Sequence, residues 1–104
     1  MEHTVVVHLK LSDDGFGASD EREAIWKLQD ELAEVVAQAR AGKFDGEEFG
    51  QGECVFFMYG PDADALFATV QPLLKSSPHS KGGFATKRYG ETSDPRAPEV
   101  RVEL

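Results

Sequence analysis

The chain twice sets an apolar run, a Gly- and Asp-rich corner and an amphipathic helical pattern in succession. The first unit places Val5 to Leu11 before residues 20–41, and the second places Cys54 to Tyr59 before residues 62–75. Apolar residues that alternate predict a half-buried strand, and apolar residues that recur every three or four positions predict a helix packed on one face. Two such units in 104 residues predict one domain, residues 1–104, in which strands and helices follow one another.

The first unit carries start and stop signals for its helix. Asp20 and Glu23 have the spacing of a capping box, and Gly42 suits a C-terminal stop. The apolar positions between them predict the buried stripe, which consists of Ile25, Leu28, Leu32, Val35 and Ala39.

The second unit begins with a Gly-rich, acidic segment. Lys43 to Gly52 predicts only a short strand, over Glu47 to Phe49, before the strand Cys54 to Tyr59. Both sides of that strand are apolar, so two alternatives stay open: both sides are covered, or one side is a binding surface. In the helix over residues 62–75, Pro61 suits the first helical position and Pro72 predicts a kink or an early end.

The remaining segments complete a sheet. Phe84 to Tyr89 and Glu99 to Leu104 predict two strands, joined by a polar turn over residues 90–98. This order predicts an α+β ferredoxin-like sandwich, β-α-β-β-α-β with an extra C-terminal strand, in which an antiparallel sheet carries both helices on one face. If Phe56 and Met58 join Val6 on the other face, that face is an apolar interface, most simply for a homodimer.

Four segments resemble a set of small bacterial proteins of uncharacterised function that share the ferredoxin-like fold. The matching segments are Gly46-Glu47-Glu48-Phe49-Gly50-Gln51-Gly52-Glu53, Tyr59-Gly60-Pro61-Asp62-Ala63-Asp64-Ala65-Leu66-Phe67, Lys87-Arg88-Tyr89-Gly90 and Val100-Arg101-Val102-Glu103-Leu104. The resemblance implies this fold and brings no activity, cofactor or catalytic residue with it.

The net charge is −8 and is unevenly distributed. Residues 1–74 hold 15 Asp or Glu and 5 Lys or Arg, a net of −10, whereas residues 75–104 hold 4 and 6, a net of +2. The net negative charge disfavours nucleic acid as a partner, because binding to nucleic acid relies on basic side chains that release counterions from phosphates. The acidic part would attract a basic protein partner. The alternative explanation for the same excess of charge is solubility alone.

The hydropathy of the sequence predicts where in the cell the protein lies. No apolar stretch reaches the roughly 18 to 20 residues of a membrane span, and Met1 to Leu11 lacks the features of a signal peptide. We therefore expect a cytoplasmic protein that does not bind a membrane.

The sequence contains no catalytic, metal or cofactor signature. His3 and His8 lie on opposite faces of their predicted strand and cannot chelate one ion together. Cys54 is the single cysteine and lies in an apolar run, which predicts a buried, unreactive thiol.

The aromatic residues of Cys54 to Tyr59 resemble the third strand of an RNA-recognition module. Its aromatic strand begins with Lys or Arg before Gly, but here Gln51 precedes Gly52, and the first strand offers Val5 and Val7 in place of aromatic residues. Core packing explains the aromatic residues better.

Two hypotheses for function remain. The first is a non-catalytic, acidic interaction domain, similar to an antitoxin or immunity-like inhibitor, that covers a basic partner. Its predicted contact residues are Asp30, Glu31, Glu34, Asp45, Glu47 and Glu48. The alternative is a small-molecule sensor or minor enzyme with a cleft on the open sheet face, and its predicted ligand contacts are His8, Tyr59, Arg88 and Tyr89.

Overall fold

The computed structural model describes residues 2–91 and 93–104 as a mixed α+β domain; Met1, and Thr92 within the turn expected over residues 90–98, lie outside the described residues. Five strands and two helices make up its regular structure in this part of the chain. They are β1 (His3–Lys10), α1 (Ser19–Gln38), β2 (Lys43–Gly50), β3 (Glu53–Gly60), α2 (Ala63–Ser76), β4 (Phe84–Arg88) and β5 (Glu99–Glu103), with a short 3-10 helix at Pro78–Ser80. No helix among these residues is long and apolar enough to cross a bilayer.

The strands form one antiparallel sheet in the order β2-β3-β1-β4-β5. β1 is central because it pairs with both β3 and β4, while β2 and β5 are the edges. The terminal strand pairs with β4, as predicted. The sheet thus separates residues 43–50 from residues 99–103 by its full width.

The register determines which side of each strand is buried. Val5 lies opposite Met58, and Val7 lies opposite Phe56. These four side chains share one core with residues from both helices. The core members from the helices are Ile25, Leu28, Leu32, Val36, Ala63, Leu66, Phe67, Val70 and Leu74. Phe56 and Met58 therefore pack under the helices. The sequence left both sides of this strand open, and the structure excludes the arrangement in which these two residues join Val6 on the exposed face.

Helix α1 differs from its predicted boundaries at both ends. It begins at Ser19, and Glu21 accepts a hydrogen bond from the N–H of Ala18 at 3.2 Å, so the cap predicted for Asp20 and Glu23 is wrong. At the other end the helix stops before Gly42, because Arg40 adopts a left-handed φ of 52°. The N–H of Ala41 then reaches the carbonyl of Val36 at 3.1 Å, which is the bonding of a Schellman motif.

Strand β2 is longer than predicted. It pairs with β3 from Lys43 to Gly50, with a bulge between Phe44 and Gly46. An edge strand tolerates glycine and charged residues, because only one of its sides pairs. Gln51 and Gly52 have φ values of 53° and 80°, which suit a tight hairpin turn into β3.

Helix α2 begins with a side-chain cap. The carboxylate of Asp62 accepts hydrogen bonds from the N–H groups of Asp64 (3.0 Å) and Ala65 (3.3 Å). Pro61 therefore precedes the helix, and its predicted place as the first helical residue is wrong. Pro72 lies within the helix, which continues to Ser76. Pro72 is exposed, so the carbonyl that its missing N–H would bond can be hydrated.

Candidate functional site

The sheet surface opposite the helices, called here the open face, follows from the pairing register. Its central strand contributes Thr4, Val6 and His8. The residues beside them on β3 and β4 are Tyr59 and Arg88 next to Thr4, Phe57 and Thr86 next to Val6, and Val55 and Phe84 next to His8. The open face is thus apolar in the middle and polar at its ends.

The four predicted ligand contacts do not form one cluster. Tyr59 and Arg88 flank Thr4, but His8 lies four residues further along β1, about 13 Å away at a strand rise of roughly 3.3 Å per residue. Tyr89 lies on the helix side, where its hydroxyl reaches Asp64. The prediction that these residues share a cleft has no support from their placement.

His8 is held by its neighbours on the open face. Its ring stacks on Phe84 with centroids 4.4 Å apart, and its Nδ1 lies 3.3 Å from Glu53. The guanidinium of Arg101 covers the same Phe84 ring at 3.7 Å. His8 and Arg101 thus both pack on the ring of Phe84. These contacts account for the half-buried state of His8, and no ligand is needed to explain it.

Arg88 fastens the segment between β4 and β5. Its guanidinium pairs with Glu99 and donates to the carbonyls of Asp94 and Glu91, the last at 3.2 Å. These bonds use its donors within its own chain. Arg88 is therefore a structural residue here.

Beside Arg88, the hydroxyl of Thr4 is buried without a partner. Thr4 is 1% exposed, and its Oγ1 makes no hydrogen bond among the described residues. It borders a depression of about 290 Å³ that Tyr59, Glu2, Glu91 and Ser93 also line. This is the polar recess of the open face.

On the helix side, Asp64 joins α2 to β4. Its Oδ1 accepts from the hydroxyl of Tyr89 at 2.5 Å and from Nζ of Lys87 at 2.9 Å. The Tyr89 hydrogen bond, followed by that of Lys87, lowers the pKa of Asp64, and Asp64 in turn raises the pKa of both donors. His3 Nδ1 accepts from the N–H of Ala63 at 3.0 Å. This cluster orients the start of α2.

The six predicted acidic contact residues lie on two adjoining elements. Asp30, Glu31 and Glu34 are exposed on α1, and Asp45 and Glu48 are exposed on β2, with Glu47 half-buried beside them. Since α1 packs against β2, we call these six residues the acidic edge. Glu47 and Glu48 point to opposite faces of the sheet, so the acidic edge wraps around β2.

None of these six residues neutralises a cation within the described chain. The ion pairs closer than 4.0 Å among residues 2–91 and 93–104 use other carboxylates, namely Glu53, Asp64, Glu99 and Glu103. The charge asymmetry of the sequence is thus partly spatial: Asp45, Glu47 and Glu48 lie on the β2 edge of the sheet, and the net-positive segment 75–104 includes the β5 edge. Glu31 faces the end of α2, where it lines a groove with Leu73 and Ser76.

Sequence reasoning missed three aromatic residues next to the acidic edge. Trp26 is 43% exposed and contacts Phe49 edge to face at 5.8 Å. Phe16 is 64% exposed and lies beside Gly50. We call these residues the aromatic patch. The available signal was their position: Trp26 lies off the apolar stripe of α1, and Phe16 stands between two glycines in a polar turn.

Among residues 2–91 and 93–104, no group of three or more His, Cys, Asp or Glu side chains lies close enough to hold an ion.

Cys54 is buried, and its environment opposes ionisation. Burial, followed by the charges of Glu47 and Glu53, raises the pKa of the thiol to about 12. At pH 8 only about one molecule in ten thousand then carries the reactive thiolate. We expect an aromatic disulfide reagent to leave the folded chain unlabelled over minutes and to label it fully in concentrated urea. Rapid labelling of the folded chain would contradict this placement.

Similarity to known proteins does not assign this chain to a family. The resemblance to small bacterial proteins with a ferredoxin-like fold therefore stays a prediction. No protein-family model, no curated protein and no solved structure matches this chain.

Proposed function

We propose that this chain is a non-catalytic interaction domain that binds a basic protein through the acidic edge and the aromatic patch, in the manner of an antitoxin or an immunity-like inhibitor. The observation that carries the proposal is the juxtaposition of exposed aromatic side chains with carboxylates that lack cation partners in the described chain.

The acidic edge would raise the rate of association and would select partners of positive charge. Uncompensated charge of one sign attracts a partner of opposite sign and raises the association rate, and salt screens this attraction. The net charge of −8 adds a long-range field of the same sign. Binding should therefore weaken strongly as salt is added.

The aromatic patch would supply the apolar anchor. Tryptophan is enriched among residues that dominate binding energy, because its large ring fits a pocket and loses little conformational entropy. Trp26 is also flanked on its own helix by Glu23 and Asp30, three and four positions away. An exposed ring within carboxylates fits an apolar pocket that has a basic rim.

The test compares charge reversal at the two sides of the sheet. The variant Asp30→Lys with Glu48→Lys alters the acidic edge on both of its elements, α1 and β2. The control Glu2→Lys with Glu91→Lys makes the same change in net charge at the polar recess, where neither residue forms an ion pair in the described chain. Tagged wild type, both variants and Trp26→Ala are incubated with lysate of the producing organism at low and high salt. Each retained protein is then purified and titrated against the same four chains.

We expect one basic protein that binds wild type and the control alike at low salt. Its affinity should fall at least about tenfold, or about 1.4 kcal/mol, for the acidic-edge variant and for Trp26→Ala. Retention of nothing at low salt overturns the proposal. Equal loss in control and acidic-edge variants overturns it as well, because net charge alone would then explain the binding.

A second candidate is a small-molecule sensor or minor enzyme on the open face, favoured by the unpartnered hydroxyl of Thr4 beside Tyr59. A ligand at one hundred times its Kd stabilises a folded protein by about 2.7 kcal/mol. Thermal unfolding with a metabolite library, on wild type and Thr4→Val, tests it. The site is excluded if no compound stabilises the wild type more than it stabilises Thr4→Val.

We also infer that the arrangement is a ferredoxin-like sandwich with an added edge strand. The order β2-β3-β1-β4, with helices after β1 and β3, supports this inference. Association of two copies through the open face stays a prediction. Sedimentation velocity of wild type and Phe57→Lys tests it, since a charge at the centre of that face should dissociate such a dimer.

A further inference from the structure

A depression of about 490 Å³ lies where the end of α2, the 3-10 helix and the end of β5 meet. Its walls include Lys75, Ser77, Pro78, Ser80, Lys81 and Leu104. The N–H of Leu104 donates to the carbonyl of Gly83 at 3.1 Å, so the two segments are joined below the depression. Its volume is within the usual range for small-molecule sites.

The two lysines make this depression basic within an acidic chain. Lys75 and Lys81 are both exposed. The ion pairs closer than 4.0 Å in the described part of the chain use other cations, namely His8, Lys87, Arg88 and Arg101. The ammonium groups are therefore available to an external anion.

Ser80 provides an independent sign of a missing partner. It is 2% exposed, and its Oγ has no hydrogen bond among the described residues. The Ser80 backbone is satisfied, because its N–H donates to Ser77 and its carbonyl accepts from Gly83. A buried hydroxyl without a partner costs about 1 to 3 kcal/mol. The Oγ is itself covered, so a ligand acceptor relieves this cost once the Ser80 side chain turns toward the depression.

The turn that holds Ser80 has little freedom to move. A Cβ at Gly83 would lie 2.2 Å from the carbonyl oxygen of His8, so β1 and this turn are in close backbone contact. The backbone at Ser80 is therefore held in place before any ligand binds. Such preorganisation lowers the entropic cost of binding.

We infer that this depression binds a small organic anion with an apolar body. The anionic head lies between Lys75 and Lys81 and accepts a hydrogen bond from Ser80. The apolar body contacts Pro78, Leu104 and the methylene chains of the lysines. None of these residues belongs to the acidic edge, so the inference is independent of the proposed function.

The probes are octanoate, octyl phosphate, inorganic phosphate and octyltrimethylammonium, each titrated into the full chain and followed by amide chemical shifts. The variants are Lys75→Met with Lys81→Met, and Ser80→Ala, with Lys43→Met and Arg96→Met together as the matched control, because both residues are exposed and lie outside the depression. Thermal unfolding of each variant checks that it is folded. Ser80→Ala removes an unpaired group, so it should retain stability.

We expect octanoate or octyl phosphate to give saturable shifts confined to residues 75–83 and 104, and the preferred head identifies carboxylate or phosphate. Their Kd should rise at least about tenfold in the Lys75 and Lys81 variant and roughly fivefold in Ser80→Ala. The control should bind as wild type does.

Three results would overturn the inference. They are the absence of saturable shifts with either anionic octyl probe, equal shifts with the cationic probe, and equal weakening in the control. Inorganic phosphate that binds as tightly as octyl phosphate would overturn the recognition of an apolar body.

Discussion

Replacement of Phe56 by alanine should lower the free energy of unfolding by about 3 to 5 kcal/mol. Phe56 has no exposed surface, lies opposite Val7 in the sheet and contacts the ring of Phe44 edge to face at 5.4 Å. Truncation removes this apolar burial and leaves a cavity between sheet and helices. Urea unfolding followed by circular dichroism measures the change.

Its neighbour is the matched control. Phe57 points to the open face and is half-buried, so Phe57→Ala should cost less than Phe56→Ala by at least about 2 kcal/mol. Equal losses would mean that the assignment of faces to β3 is wrong.

Replacement of Gly60 by alanine should destabilise the fold by about 3 kcal/mol, although it adds only a methyl group. That methyl carbon would lie 2.3 Å from the carbonyl oxygen of Ala41. The neighbour is backbone at the junction of α1 and β2, so relief requires the main chain to move. Gly42 faces the same junction, and a Cβ there would lie 2.0 Å from the carbonyl oxygen of Tyr59.

Gly46→Ala serves as the comparison for this experiment. Nothing lies within 4 Å of a Cβ at Gly46, so its effect should stay within about 0.5 kcal/mol. Thermal and urea unfolding of both variants give the two values. A Gly60→Ala protein as stable as Gly46→Ala would show that the junction is looser than described.

Local sequence patterns predicted most elements but not all of their limits. The alternation of apolar residues predicted that β1 is half-buried without deciding which side, and the structure buries Val5, Val7 and Leu9. The helical repeat predicted the core residues Ile25, Leu28 and Leu32. Val36 is buried where Val35 was predicted, and Val35 is only half-buried. The predicted Ala39 is exposed, because α1 ends at Gln38. That end depends on the left-handed conformation of Arg40, which is not a residue type that marks a stop.

The extent of β2 had no local signal. Gly46 and Gly50, with acidic residues between them, favour a turn in isolation. Pairing with the apolar strand β3 makes this segment extended from Lys43 to Gly50. Tertiary contacts here overrule local preference, as they commonly do for edge strands.

For the candidate sites, the charge of the residues was predictable from the sequence, but which residues lie close together in space was not. The acidic residues of α1 and β2 were identified from composition, and the structure puts these two elements side by side. The four proposed ligand contacts were chosen by residue type, and pairing disperses them: Arg88 bonds its own segment, and Tyr89 turns to Asp64. Trp26 was missed because a helical pattern identifies buried positions, while the partner of an exposed ring lies on another strand.

The sequence by itself determined the order of strands and helices, the apolar composition of the core and the excess of negative charge, because each depends on residues close together in the chain. The tertiary structure decided the face of Phe56, the pairing of Arg88 with Glu99 and the meeting of Lys75, Ser80 and Leu104. These depend on strand register and chain crossings, in which residues far apart in sequence come within a few ångströms and one residue of slip reverses every side chain.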